Sequence, residues 1–160
     1  RVNPADGQLY GTGLSGWQGP AGGKDGCFQR LRYTGETCRL LDSVTVVPKG
    51  IELHFNFDVD PASTMLASNW HAEMWDYLWS KKYGSDQFSV LQPGQKGRDI
   101  VSVADALLKD SQTVHLTIPD IHTCDQLLLE VETRDRTGEP FLESAYLTIH
   151  AIPEESNTAN

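Results

Sequence analysis

The sequence predicts an all-β protein built as an antiparallel sandwich. Three observations carry that prediction: runs in which apolar and polar residues alternate, turn signals standing between those runs, and a scarcity of helical periodicity. In chain order, the first third differs from the rest. Two short strand-like pieces, around Leu9–Thr12 and Phe28–Tyr33, are joined by a Gly-rich stretch too polar to hold a core. Residues 1–36 therefore read as a β-hairpin segment, with a boundary near Thr34–Leu41. Residues 37–153 read as the sandwich. In "IELHFNF", Ile51, Leu53, Phe55 and Phe57 share one face while Glu52, His54 and Asn56 share the other. "TVHLTI" sets Val114, Leu116 and Ile118 inward, and "QLLLEVET" does the same with Leu127, Leu129 and Val131. "SAYLTIHA" closes the series. "PKG" at 48–50, "DPAS" at 60–63, "KD" at 109–110 and "DRTGEP" at 135–140 are the turns. "SVADALL" is the one short helix candidate, with a strand end as its alternative. The acidic tail, 154–160, is expected to fray.

At 160 residues and 39% hydrophobic, the chain can bury one ordinary core. A formal charge of −9 argues against nucleic acid and anionic membrane surfaces as partners, since both select basic patches. No apolar run approaches the ~18 residues of a membrane span. The start at Arg1, without a signal-peptide pattern, suits a processed protein or a fragment. Three cysteines, Cys27, Cys38 and Cys124, form no C-x-x-C pair, which speaks against zinc ribbons and thioredoxin-like sites. A Cys27–Cys38 disulfide and three partly buried small hydrophobes are both open.

The segment "HAEMWDYLWSKKYGSDQFSV", 71–90, concentrates two of four tryptophans and two of five tyrosines. If it is extended, His71, Glu73, Trp75, Tyr77 and Trp79 share a face, opposite Trp70, Ala72, Met74 and Leu78. The second set reads as the core side. The first aligns three rings about 7 Å apart at ~3.3 Å per residue, a spacing that suits stacking on the C–H faces of successive pyranoses. The candidate ligand-binding residues are therefore Trp75, Tyr77, Trp79, Tyr83, Glu73 and His71. Strand aromatics also serve plain packing, with Tyr83 and Phe88 then pinning the loop. Trp17 divides between the same two uses.

Other constellations are weaker. Asp58 and Asp60 flank Val59 before Pro61 and could offer oxygens to calcium, although such a turn more often bonds its own backbone. His54, His71, His115, His122 and His150 are dispersed, with neither H-x-H nor H-E-x-x-H spacing. G-x-S-x-G and phosphate-loop motifs are missing, as is the C-x-x-C-H of haem attachment. No metal, cofactor or catalytic residue is expected.

Two motif groups resemble known families. D-G-x-L-Y, followed by D-G-x-F-x-R-x-R-Y, resembles the closing strands of a blade in six-bladed propellers of the soluble sugar-dehydrogenase type. "PKGIELHFNFDVDPASTMLASNW" and "DSQTVHLTIPDIHTCDQLLLEV" resemble bacterial Ig-like domains related to those of surface-layer proteins. With the insertion at 75–103, the tandem is similar to the C-terminal region of large secreted planctomycete and verrucomicrobial proteins that combine a propeller with a cytochrome module. Where that pattern often reads G-H-D, this chain has Gly97-Arg98-Asp99. The resemblance implies an Ig-like sandwich behind a blade remnant, secreted or periplasmic and not an enzyme. The aromatic run and the acidic charge give a neutral polysaccharide or oligosaccharide as the expected ligand, and the resemblance implies neighbouring domains of a larger parent as further partners. The alternative function is a structural or interaction domain with no ligand of its own.

Overall fold

The computed structural model describes residues 2–13 and 26–154, apart from the side chain of Cys27. Trp17, the tail beyond 154 and the Cys27–Cys38 pairing lie outside the described residues. Two compact units divide the chain, Arg1–Cys38 and Arg39–Asn160.

In the first unit, β1 (Leu9–Gly13) pairs antiparallel with β2 (Cys27–Leu31), in a register running from Leu9 opposite Leu31 to Gly13 opposite Cys27. The Tyr10 and Phe28 rings stack at 5.4 Å, and the Tyr10 hydroxyl donates to Asp6 Oδ2 at 2.7 Å. Phe28, Leu31 and Tyr33 are exposed.

The second unit is all-β and sandwich-like. Its strands are β3 (Leu41–Val47), β4 (Gly50–Phe55), β5 (Trp70–Tyr77), β6 (Gln87–Phe88), β7 (Asp99–Val101), β8 (Asp105–Leu108), β9 (Thr113–Thr117), β10 (Cys124–Arg134) and β11 (Pro140–Ile149). One antiparallel sheet has the order β3-β4-β9-β8. The other has the order β11-β10-β5-β6, with β7 also paired to β5. Period-2 alternation puts Ile51, Leu53 and Phe55 of β4 and Val114 and Leu116 of β9 into one core with Ala72, Met74, Leu127 and Leu129 of the opposing sheet. Phe55 meets Phe141 of β11 edge-on at 5.7 Å, and Phe57 lies 5.1 Å from the same ring.

Two local expectations are revised. The "DPAS" turn is a short helix, α1 (Pro61–Thr64), because Asp60 caps it by accepting from the Ser63 N–H at 2.9 Å and proline fits its first turn. The helix is held to the sheet by Thr64 Oγ1 and Thr133 Oγ1, 2.6 Å apart, and by Trp70 Nε1 donating to the Thr64 carbonyl at 2.8 Å. "SVADALL" takes its strand alternative. Pairing with β9 sets Ala106 opposite Leu116 and buries it, a tertiary gain that outweighs the helix propensity of Ala and Leu.

Candidate functional site

β5 runs antiparallel to β10 from Trp70 opposite Val131 to Trp75 opposite Gln126. Trp70, Ala72 and Met74 face the core, so His71, Glu73 and Trp75 face outward. Outward does not mean solvated: Trp75 is only 2% exposed. The chain after the loop folds back over this face and lays the Arg98 guanidinium 4.1 Å from the Trp75 ring centre. Arg98 Nη1 donates to Glu73 Oε2 at 2.8 Å and Nε donates to Gln87 Oε1 at 2.9 Å. His71 Nε2 lies 3.0 Å from Glu73 Oε1. These donors, Arg98 before His71, hold the Glu73 carboxyl below the usual carboxylate range.

The expected platform is thereby corrected. Trp75 is a packing residue under Arg98, and Glu73 and His71 are engaged in the ladder that covers it. The expected parity holds from Trp70 to Trp75, whereas Leu78, expected on the core side, lies beyond β5 and is 50% exposed; the insertion supplies a lid that parity alone does not reveal.

The ladder between β5 and β10 ends in a side-chain exchange. The Tyr77 N–H donates to Asp125 Oδ2 at 2.8 Å, and the Asp125 N–H donates to Asp76 Oδ1 at 2.9 Å. Each aspartate satisfies a backbone donor where regular pairing stops. The chain then leaves the sheet, so Trp79 lies beyond β5 rather than two steps along it. Tyr77 is 41% exposed, Trp79 101% and Tyr83 103%.

Residues 78–86 form the connection from β5 to β6. Its neck is closed by the Leu78 N–H donating to Ser85 Oγ at 3.0 Å, and Ser85 Oγ donates to the Asp86 carbonyl at 2.7 Å. The Lys82 N–H donates to Ser80 Oγ at 3.3 Å. Gly84, at φ 76, supplies the left-handed residue the turn needs. Lys96 pairs with Asp86 at 2.5 Å. Trp79, Lys82 and Tyr83 line a shallow cavity of about 460 Å³, and Tyr77, Trp79 and Lys82 line a second of about 370 Å³.

The following segment is anchored by Asp99. It accepts from Ser89 Oγ at 2.6 Å, the Val90 N–H at 2.6 Å and the Leu91 N–H at 3.0 Å. Burial pushes its carboxyl up, and these donors outweigh burial, so the net direction is down. In Gly97-Arg98-Asp99, then, Arg98 covers Trp75 and Asp99 fixes the segment that delivers it. Nothing in the local sequence around Arg98 and Asp99 signals either role.

The remaining candidates separate. Asp60 is spent on the helix cap and Asp58 lies 3.7 Å from Arg136. Among the described residues, no group of three or more His, Cys, Asp or Glu is placed to hold a metal ion. A groove of about 460 Å³ on the outer face of the larger sheet is lined by His71, Glu130, Glu132 and Leu142. The Cys124 thiol is buried, which raises its pKa to about 11 and makes it a poor nucleophile. Comparison with known proteins gives no match: no family model, curated protein or solved structure matches the chain.

Proposed function

We propose that this chain is a non-catalytic, secreted or periplasmic module that binds carbohydrate through Tyr77, Trp79 and Tyr83. In this reading the second unit is an Ig-like sandwich of the surface-layer-related type, and the first is the remnant of a propeller blade in a larger parent.

One observation carries the proposal. Trp79 and Tyr83 stand fully in solvent on a loop whose neck is fixed by side-chain hydrogen bonds. Large rings left in water contribute nothing to the fold, yet a sugar covering one face of a ring buries on the order of 100 Å², about 2.5 kcal/mol per ring before ordering costs. Hydroxyls at Ser80 and Ser85 stand beside the rings, suiting the polar edge of a pyranose.

The test is affinity gel electrophoresis of the intact chain against neutral and acidic polysaccharides, beside Trp79→Ala and Tyr83→Ala. Retardation by at least one polysaccharide, reduced about tenfold in variants that remain folded, is expected. Migration unaffected by every polysaccharide would overturn the reading.

A second reading draws on a separate observation. The outer face of the larger sheet leaves Ile100, Leu142 and Tyr146 exposed, as a structural domain contacting neighbouring modules of its parent would.

A further inference from the structure

We infer that the carbohydrate held at the Trp79–Tyr83 loop is anionic, a polymer bearing carboxylate or sulfate groups, with Lys81 and Lys82 supplying the countercharge. This rests on the carbohydrate-binding reading and departs from the expectation of a neutral ligand, which followed from the charge of the whole chain.

The two lysines sit between the two solvated rings in the sequence Trp79-Ser80-Lys81-Lys82-Tyr83. Lys82 lines both cavities with Trp79. Both lysines are exposed, and neither enters an ion pair among the described residues. Asp86, the loop's own carboxylate, has its pKa held down first by its partner Lys96 at 2.5 Å and then, at longer range, by Lys82, with which it forms no ion pair. The nearby Asp76 and Asp125 are turned to backbone donors at the end of β5. In a protein of net charge −9, this leaves two unpaired ammonium groups where the rings are most exposed.

Range decides which charge the ligand meets. At physiological ionic strength, charges more than about 8 Å away are largely screened, so remote carboxylates weaken the encounter while the contact lysines set the bound state. A neutral glycan would need only the rings and hydroxyls and would leave both ammonium groups idle. An acidic sugar uses all of them: its C–H face stacks on indole or phenol while its anionic substituent meets an ammonium. A bare polyanion lacks the stacking half, so charge alone is insufficient.

The experiment measures binding of the intact chain to polygalacturonate, dextran sulfate, unmodified dextran and polyglutamate at 0.05 and ~0.5 M salt. The Lys81→Ala/Lys82→Ala double variant and Trp79→Ala run in parallel. Both variants alter exposed loop positions, and circular dichroism confirms their folding. The expected result is binding to one or both acidic glycans that weakens at high salt. Each lysine should account for roughly threefold, so the double variant falls about tenfold. Trp79→Ala also weakens it, and polyglutamate binds poorly. The two acidic glycans distinguish carboxylate from sulfate. Dextran bound as well as the acidic glycans, with the lysine variant unchanged, overturns this inference and leaves the carbohydrate reading standing. Polyglutamate bound as tightly as the glycans overturns it in favour of charge alone. Binding to none of the glycans removes both readings.

Discussion

Trp75 and Trp79 are four residues apart and have opposite surroundings. Trp75 lies on the strand, where Arg98 covers it, whereas Trp79 lies past the aspartate exchange that ends the strand. Truncation should separate them energetically. Trp75→Ala is expected to lose about 3–4 kcal/mol in urea denaturation, and Trp79→Ala to stay within about 0.5 kcal/mol of the parent. Equal losses would mean that Trp79 packs. Asp135 yields a second residue-level prediction. Its carboxylate accepts from Thr137 Oγ1 at 2.6 Å, from the Thr137 and Glu139 N–H groups and from Arg39 at 2.5 Å. The Thr137 hydroxyl first, with the Glu139, Arg39 and Thr137 N–H donors against burial, holds its pKa at about 2. A folded value below the unfolded one, about 3.9, means the stabilisation is complete above about pH 4 and is lost as pH falls through about 2. Asp135→Asn should therefore be less stable at neutral pH and show a flatter stability profile between about pH 4 and 2. An unchanged slope would contradict the assignment.

At the scale of elements, the tightest constraint is where β4 leaves its hairpin. Gly50 lies opposite Thr117, and a Cβ there would come within 2.0 Å of the Leu116 carbonyl oxygen and 3.1 Å of its carbon. The obstacle is backbone in the neighbouring strand, which cannot swing aside. Gly50→Ala should cost about 3 kcal/mol or more in thermal or urea unfolding, and a neutral result would place β4 differently against β9. Much of the sheet architecture was legible because a half-buried strand writes its inner face into every second residue. Ile51, Leu53, Phe55, Val114 and Leu116 could be read this way. Ala106 could not, since its burial comes from pairing with Leu116 and its neighbours favour helix. Nor could the end of the aromatic run at Tyr77. It depends on Asp76 meeting Asp125, residues far apart in sequence, and period-2 alternation carries no information about where pairing stops. The lid over Trp75 was equally hidden, because nothing local to Arg98 shows that its segment returns across β5. Of the rings expected to share a face, Trp79 stands in solvent and Trp75 does not, a difference set by the returning chain rather than by spacing.

At the scale of the molecule, the described residues of the hydrophobic core all belong to the second unit, from Leu41 onward. The second unit thus contains what it needs to fold, whereas a two-stranded ribbon is marginal in water by itself. A chain beginning at Arg39 is expected to keep a single cooperative thermal transition and the far-UV spectrum of a β protein. A broad, non-cooperative melt would show that the first unit supports the core. The second unit is then a sandwich-like β fold that carries a short loop with exposed aromatic and lysine side chains beyond the end of β5. The most direct measurement is tryptophan fluorescence of the intact chain titrated with polygalacturonate and dextran sulfate, beside Trp79→Phe, which keeps a ring but removes the reporter. The expected result is a saturable blue shift in the parent as the exposed indole leaves water, absent in Trp79→Phe even though that variant is still retarded in the same polysaccharide gels. A spectrum that responds to neither polymer, or a shift that survives the substitution, would contradict it.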